Sequence, residues 1–210
     1  MTNLFRSDTW IVKQNLNLTE VVLGFESANQ YKILSEDGES LGFIAEKSSG
    51  LFSWLKRQIL RSHRSFEAAV LDADGNTAVI LKHPFYWIWS SLFIYDSNDK
   101  LLGSVHRRFT LISRRYDLYD VTATSFASVY AGVFRVWTFD FFDRAQNKIG
   151  FISKKWGGLV KEYFTDADCY VVKLEPQNQD FSTQQKAIFL AAAVAIDFDY
   201  FEENQPRKES

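Results

Sequence analysis

The sequence is poor in the residues that build disulfides, linkers and irregular loops. It has one cysteine, three prolines and ten glycines in 210 residues. The single cysteine, Cys169, excludes an internal disulfide and favours a reducing compartment. Against these low counts, 46% of the residues are hydrophobic and 16% are aromatic, which excludes a disordered chain and indicates one globular domain or a tight pair.

A large net charge, long hydrophobic runs and a secretion signal are also missing. The formal net charge is −2, so we predict no nucleic-acid partner and expect any attraction to acidic lipid to come from local patches. The longest apolar run, residues 187–196, is shorter than the roughly 18 residues that a membrane-spanning helix needs. The N-terminal stretch MTNLFRSDTW lacks the apolar centre of a signal peptide. These features predict a soluble, cytoplasmic protein.

The sequence contains no enzyme signature. It has no Gly-x-Ser-x-Gly, no phosphate-binding loop and no paired histidines at metal-ligand spacing. His63, His83 and His106 are scattered, and Cys169 has no histidine near it in the sequence. We therefore predict that the protein is not an enzyme.

Most of the chain has the pattern of short strands joined by tight turns. Asp-Gly separates β-prone runs in YKILSEDGESLGFIAEK and FEAAVLDADGNTAVILKHP, which predicts hairpins with type I′ turns. Residues 92–109 and 139–156 repeat the pattern with Asn-Asp and Gln-Asn at the turn. Residues 120–132, DVTATSFASVYAG, alternate with period two and predict a single strand.

Three of the predicted hairpins have a similar return strand. These strands are LGFIAEK, LGSVHRR and IGFISKK, and each has a glycine at its second position: Gly42, Gly103 and Gly150. The similarity predicts one hairpin design repeated around a closed sheet, with the glycines at bends or close backbone approaches. The alternative is that β proteins reuse such short strands by chance.

The C-terminal part predicts a helix of an unusual kind. Ser182 and Gln185 have capping-box spacing, and residues 187–196 follow with no polar face. A helix that is apolar all round must be buried on all sides, and its alanines keep it thin enough to be enclosed. We therefore predict a mainly β protein, a closed antiparallel β-barrel around a central hydrophobic C-terminal α-helix.

Two segments resemble the phospholipid scramblase family, which belongs with the Tubby-like and LURP-one-related proteins. Residues 149–168, IGFISKKWGGLVKEYFTDAD, are similar to the family pattern G-x-I-x-K-x-W-x-G followed by F-T-D-A-D. KAIFLAAAVAIDFDYFE resembles the family's C-terminal helix, and weaker similarity extends back to about Tyr31. The resemblance implies a Tubby-like barrel forming one domain over residues 1–203, followed by a polar tail, residues 204–210.

The resemblance also implies a function at membranes. It implies a membrane-associated protein that moves phospholipids between leaflets; the alternative is a non-catalytic Tubby-like module that binds anionic lipid headgroups or a protein partner. The palmitoylated cysteine clusters of animal scramblases are replaced here by SSGLFSWLKRQILRSHR and FYWIWSS. The aromatic segment within residues 83–91 is either an interfacial patch or a core strand.

Residues 51–64 form a basic amphipathic segment that is typical of a peripheral membrane anchor. Its apolar side chains would enter the headgroup boundary, and its cations would attract an anionic phospholipid surface. The alternative is a helix packed on the barrel with its charges in water. The membrane-binding candidates are Leu51, Phe52, Trp54, Lys56, Arg57, Arg61 and Arg64.

The segment HRRFTLISRR holds a second basic cluster. If it is one extended strand, Arg108 and Arg114 share one face while Arg107 and Arg115 share the other. Arg107 and Arg108 are candidates for binding lipid headgroups, because guanidinium groups suit phosphate. The alternative is a charged strand edge in water.

Three aspartates remain. Asp166 and Asp168 fill positions 1 and 3 of the calcium-loop-like segment that the resemblance implies, but Tyr170 and Val171 occupy positions 5 and 6, so we predict at most weak calcium binding. No other cofactor is expected. Asp197 follows the apolar helix, where a carboxylate needs a partner, protonation or access to the barrel mouth, and we predict a structural role for it.

Overall fold

The computed structural model describes residues 3–14, 30–46, 65–85, 90–110, 113–132, 137–154, 169–175, 180–197 and 199. A short 3-10 helix, Asn3–Phe5, precedes the first strand. The strands are β1 (Thr9–Gln14), β2 (Gln30–Leu34), β3 (Ser40–Glu46), β4 (Phe66–Asp72), β5 (Thr77–His83), β6 (Ser91–Asp96), β7 (Leu101–Arg108), β8 (Ser113–Asp120), β9 (Ser125–Gly132), β10 (Thr138–Asp143), β11 (Lys148–Ser153) and β12 (Cys169–Leu174). One helix, α1 (Thr183–Ile196), follows.

The strands form a closed antiparallel barrel in which sequence neighbours are also spatial neighbours. Each strand pairs with the next one along the chain, and β1 pairs with β12 to close the sheet. At the closure Ile11 lies opposite Val171 and Val12 opposite Tyr170. The predicted fold, a mainly β closed antiparallel barrel, is confirmed.

Helix α1 begins with the predicted capping box and occupies the interior of the barrel. The hydroxyl of Ser182 accepts from the backbone N–H of Gln185 at 3.2 Å, and the Gln185 side chain accepts from the Ser182 backbone N–H at 2.9 Å. Phe189 is fully buried and makes edge-on contacts with three other phenylalanine rings. Phe126 and Phe141 belong to the barrel wall, at centroid distances of 5.6 and 4.8 Å, and Phe181 lies just before the helix, at 5.1 Å. The buried side chains of the helix and the inward-facing side chains of the strands thus form one hydrophobic core.

Five hairpins share one turn geometry. In each, the first residue of a five-residue segment accepts through its side chain from the backbone N–H of the fifth residue, and the fourth residue has positive φ. The first residues are Ser35, Asp72, Asp96, Asp120 and Asp143, and the fourth residues are Gly38, Gly75, Asp99, Ala123 and Gln146. One left-handed residue per turn fits a three-residue loop with a bulge, so the predicted type I′ turns are wrong.

The fourth of these turns also corrects a predicted strand. The alternation in residues 120–132 predicts one strand, but the side chain of Asp120 caps a turn that reaches Thr124. Strand β9 begins only at Ser125. Local hydrogen bonding by an aspartate outweighs the alternation of the residues after it.

The glycines of the three similar return strands lie at close backbone approaches, as predicted. A Cβ atom added to any of them would come under 3.0 Å from a carbonyl oxygen of the next strand. The pairs are Gly42 with Leu71, Gly103 with Tyr119, and Gly150 with Lys173. Each return strand has a register shift beside its glycine. Such bulges bend the strands and help the sheet to close.

The two ends of the barrel differ in their connections. One end, called here the turn end, holds the five turns and the beginning of α1, where Lys186 pairs with Asp8 at 2.8 Å. The other, called here the distal end, holds the last residues of β7 and β11, the first residues of β6 and β8, and the C-terminus of α1. Within the described part of the chain, no helix is both long enough and apolar enough to span a bilayer.

Candidate functional site

Exposed aromatic side chains are concentrated at the distal end. Five large hydrophobic side chains are exposed among the described residues, and four of them are aromatic residues at or next to distal strand ends on one half of the barrel, β5 to β10. These four are Phe85 (43% exposed), Phe109 (67%), Tyr130 (44%) and Trp137 (41%). The fifth, Val121, lies in a turn at the opposite end.

The basic segment HRRFTLISRR forms the distal end of a hairpin. Strand β7 ends at Arg108 and β8 begins at Ser113, so Arg108 lies opposite Arg115. Both side chains point outward and are exposed, whereas Arg107 and Arg114 are on the inner face and half-buried. The predicted sharing of faces, Arg108 with Arg114, is therefore wrong, because it assumed that the chain does not reverse.

A buried carboxylate holds the two outward arginines. Asp117, with a side chain 6% exposed, accepts from Nε of Arg108 at 2.5 Å and from Nε of Arg115 at 3.1 Å. The arginine side chains are 57% and 47% exposed. Arg108 also donates through Nη2 to the hydroxyl of Tyr119 at 3.1 Å. The hydrogen bond and charge of Asp117 raise the pKa of Arg108. Two guanidinium groups on one carboxylate leave a net charge of +1, in orientations that phosphate can use.

A groove with both polar and apolar lining lies on the outer wall next to these arginines. It has a volume of about 560 Å³ and includes Ser91, Ser104, His106, Arg108 and Phe109 in its lining. The ring of His106 lies between the two serine hydroxyls, with Nδ1 2.9 Å from Ser91 and Nε2 2.8 Å from Ser104. Burial, and next the charge of Arg108, lower the pKa of His106, so the neutral imidazole is favoured.

The acidic residues at the end of α1 have partners at the barrel mouth. Asp197 accepts from the hydroxyl of Tyr31 at 3.0 Å and pairs with Lys154 at 3.3 Å, and both charged side chains are largely buried. Asp199, which is 1% exposed, accepts from the hydroxyl of Tyr116 at 2.7 Å. These contacts connect the end of the helix to β2, to β8 and to the residue that follows β11. The structural role of Asp197 stays a prediction, and this geometry supplies its physical basis.

Comparison with known proteins now adds the identity of the family. The family model described as Scramblase matches residues 1–203. The chain belongs to the scramblase family. The resemblance drawn from residues 149–168 and from the C-terminal helix is thereby confirmed.

Named relatives of this scramblase-family chain come from fungi and animals. A phospholipid scramblase family protein of Schizosaccharomyces pombe is 34% identical, over 94% of this chain and 60% of the relative. Altered inheritance rate of mitochondria protein 25 of Saccharomyces cerevisiae is 28% identical, over 95% of this chain and 72% of the relative. Phospholipid scramblase 2 of Bos taurus is 28% identical, over 95% and 70%. The chain thus spans about three fifths of the length of the S. pombe relative.

One solved structure is also similar to this scramblase-family fold. It is an X-ray structure of an Arabidopsis thaliana protein with 12% sequence identity, covering 94% of this chain and 92% of the other, with a TM-score of 0.47. A similarity at this level supports no conclusion about function.

Several predicted site residues lie outside the described part of this scramblase-family chain. They are the basic segment 51–64, with all its membrane-binding candidates, and the calcium candidates Asp166 and Asp168. The described residues contain no group of three or more His, Cys, Asp or Glu side chains that could hold a metal ion. Weak calcium binding therefore stays a prediction. Of the headgroup candidates, Arg108 is outward and exposed, whereas Arg107 lies on the inner face.

Sequence reasoning missed three features of the site. It did not find the shared carboxylate Asp117, the groove around His106 or the clustering of exposed aromatics at one end. The first two can be predicted only if the position of the turn between β7 and β8 is known, because the register of this hairpin places Asp117 opposite His106. The sequence did contain a signal for the shared carboxylate: Asp117 follows two pairs of arginines, and opposite charges on facing strands favour pairing.

Proposed function

We propose that this scramblase-family protein binds anionic phospholipid membranes peripherally, on the cytoplasmic side, through its distal end. We further propose that phospholipids move between leaflets at this contact. The observation that carries the proposal is the concentration of exposed aromatic and arginine side chains at one end of the barrel. No covalent bond is made or broken in such a movement, so the proposed role is not enzymatic.

The aromatic residues supply the apolar part of the proposed contact. Tyrosine and tryptophan favour the membrane interface because their rings combine an apolar body with a polar edge. Tyr130, Trp137 and Phe109 lie near the distal ends of adjacent or nearby strands, so one approach of the barrel to a membrane brings them to the surface together. Val121 at the turn end has no comparable aromatic neighbours among the exposed residues described.

Charge gives the barrel a preferred orientation. The five turns at the turn end contain the acidic residues Glu36, Asp37, Glu39, Asp72, Asp74, Asp96, Asp99, Asp120 and Asp143, and only two basic ones, Lys100 and Arg144. The distal end holds basic and acidic residues in similar number, so it is less acidic than the turns: Lys13, Arg107, Arg108, Arg114, Arg115 and Lys154 against Glu46, Glu67, Asp117, Asp197 and Asp199. Near an anionic leaflet each Lys or Arg contributes about 1 kcal/mol, while the acidic end is repelled.

In the sequence, the basic segment 51–64 falls between two strands whose described ends lie at the distal end. Strand β3 ends at Glu46 and β4 begins at Phe66, both at the distal end of the barrel. The chain therefore leaves β3 and enters β4 at the same end of the barrel as the arginines and aromatics. This placement supports the proposal that its cations and apolar residues contact the same membrane surface.

Binding is tested by sedimentation with anionic and neutral vesicles. The double variant Phe109→Ala, Trp137→Ala should lose at least about tenfold in affinity for anionic vesicles, since each ring buries apolar area at the interface. The matched control Val121→Ala, with one exposed apolar side chain changed at the other end, should bind like the parent protein. Binding through the distal end is contradicted if both variants lose affinity equally, or if neither variant loses affinity.

Membrane binding does not by itself imply lipid movement, and the geometry also favours a second candidate function, a binding module that moves no lipid. Helix α1 fills the barrel, so a headgroup would have to cross the hydrocarbon beside the protein rather than through it. A non-catalytic module that binds headgroups or a protein partner needs no such route. Dithionite quenching of labelled lipid in vesicles separates the two: a rate above that of protein-free vesicles supports movement, whereas binding without a rate supports the module.

A further inference from the structure

The groove on the outer wall has the size and the donors of a site for a small polar group. It lies along β6, β7 and β8, with Phe109 and Arg108 at its distal end. Its volume of about 560 Å³ is in the range of small-molecule sites. Phe109 is among the residues that we propose to touch the membrane, so the groove begins where the bilayer surface would lie.

The serine–histidine–serine arrangement in the groove can supply hydroxyl donors to an anion. In the neutral form, one nitrogen of His106 donates and the other accepts, so one serine must use its hydroxyl hydrogen on the ring. In the protonated form both nitrogens donate, and the hydroxyl hydrogens of Ser91 and Ser104 become available to a third group. An anion in the groove would therefore favour protonation of His106.

The charge beside the groove is positive and favours an anion, whether His106 is neutral (+1) or protonated (+2). Arg108 and Arg115 share the carboxylate of Asp117, which leaves +1 when His106 is neutral. Asp117 also fixes Nε of Arg108, so this guanidinium is oriented before any ligand arrives. A phosphodiester carries one negative charge and accepts hydrogen bonds from guanidinium and hydroxyl groups.

We propose that this groove binds the phosphodiester of a phospholipid headgroup, through Arg108, Ser91, Ser104 and His106. The proposal rests on the proposed membrane contact and adds a headgroup site to it. A soluble glycerophosphodiester has the same chemistry and should bind more weakly, because the membrane contact of Phe109 and its neighbours would be absent.

The test compares two kinds of anionic vesicle with equal surface potential. One kind contains phosphatidylglycerol, a phosphodiester, and the other contains cholesteryl hemisuccinate, a carboxylate. The parent protein should bind the phosphodiester vesicles at least about fivefold more tightly, a difference of about 1 kcal/mol. The double variant Ser91→Ala, Ser104→Ala and the single variant His106→Leu should lose this preference. The control Ser40→Ala, an exposed serine at the start of β3, should keep it.

The outcomes separate the two proposals. Equal binding of both vesicle types by the parent protein overturns the headgroup site and leaves the membrane contact standing. Absence of binding to both overturns the membrane contact itself. A preference that persists in the serine and histidine variants, shown by circular dichroism to be folded, also overturns the site. Titration with soluble glycerophosphoglycerol, followed by the NMR signals of the His106 ring, shows whether the groove binds the free diester. A shift that saturates supports the site, and no shift up to the highest soluble concentration of the diester counts against it.

Discussion

Asp117 determines where two arginines of the distal end point. Its carboxylate is almost fully buried and accepts from Arg108 and Arg115, whose own side chains remain about half exposed. A buried carboxylate without these partners would be unfavourable, so the pair of arginines and the aspartate depend on one another. The arrangement presents positive charge at the surface with fixed geometry, which isolated surface arginines do not.

His106 should make the protein less stable in acid. Burial, followed by the charge of Arg108, lowers its pKa in the folded state below the unfolded value of about 6.5. Arg108, Asp117 and Tyr119 face it from β7 and β8, while β6 contributes the uncharged Ser91 and Phe93. As the pH falls below 6.5 the unfolded state takes up the proton first, so this part of the stability is present above 6.5 and lost below it.

Urea unfolding at pH 7.5 and pH 5.5 measures this effect. The parent protein should lose more stability between the two pH values than His106→Leu does, because the variant lacks the titrating group. His63 and His83 are common to both proteins and serve as an internal reference. An identical loss in the two proteins would show that His106 does not contribute.

Cys169 should be unreactive in the folded protein. The thiol is 3% exposed, and burial raises its pKa to about 11, so little thiolate forms at pH 7 to 8. We expect no labelling by maleimide in buffer and full labelling in denaturant, counted by mass spectrometry. Rapid labelling of the folded protein would mean that the outer face of β12 is accessible.

At the scale of elements, Gly103 sets the distance between the sheet and the helix. A Cβ atom there would come under 3.0 Å from the carbonyl oxygen of Tyr119 and from Cδ1 of Ile188 in α1. Gly103→Ala should therefore destabilise the protein by about 2 kcal/mol or more, as overpacking of a core does.

Gly132→Ala is the matched control for this prediction. It adds the same methyl group at the end of β9, where no atom lies within 4 Å of the new Cβ. Its effect should stay within about 0.5 kcal/mol. Urea unfolding of both variants measures the difference; equal stability of the two would contradict the close approach of α1 to β7.

The elements also show what sequence could and could not predict. Helix α1 and its capping box were predictable, because Ser182, Gln185 and the apolar run are local signals. The barrel followed from the need to bury that helix on all sides. The turn type was not predictable from Asp-Gly, since the side chain of Asp72 caps a longer loop in competition with the tighter turn.

The candidate site was less predictable than the fold for a physical reason. Its charges and rings come from several strands and depend on register, and moving a turn by a few residues changes which side chains face one another. The segment HRRFTLISRR shows this directly: its composition indicated a basic cluster, but the reversal after Arg108 determined which arginines share Asp117.

At the scale of the whole molecule, the barrel has an acidic end with tight turns and a distal end with arginines and exposed aromatics. The formal net charge of −2 does not reveal this difference between the two ends. Because the turn end is more acidic and the exposed arginines lie at the distal end, an anionic surface should attract the distal end, repel the turn end and so orient the barrel. Salt should weaken the attraction, since the charges are exposed to solvent.

Site-specific fluorescence tests this orientation most directly. In a chain with Cys169→Ala, a single cysteine is placed at Phe109 or, as the matched control, at Val121, and labelled with the polarity-sensitive dye nitrobenzoxadiazole. On addition of anionic vesicles, the dye at position 109 should brighten and shift to shorter wavelength, whereas the dye at position 121 should not change. A response at position 121 equal to or greater than that at position 109 would contradict membrane binding through the distal end.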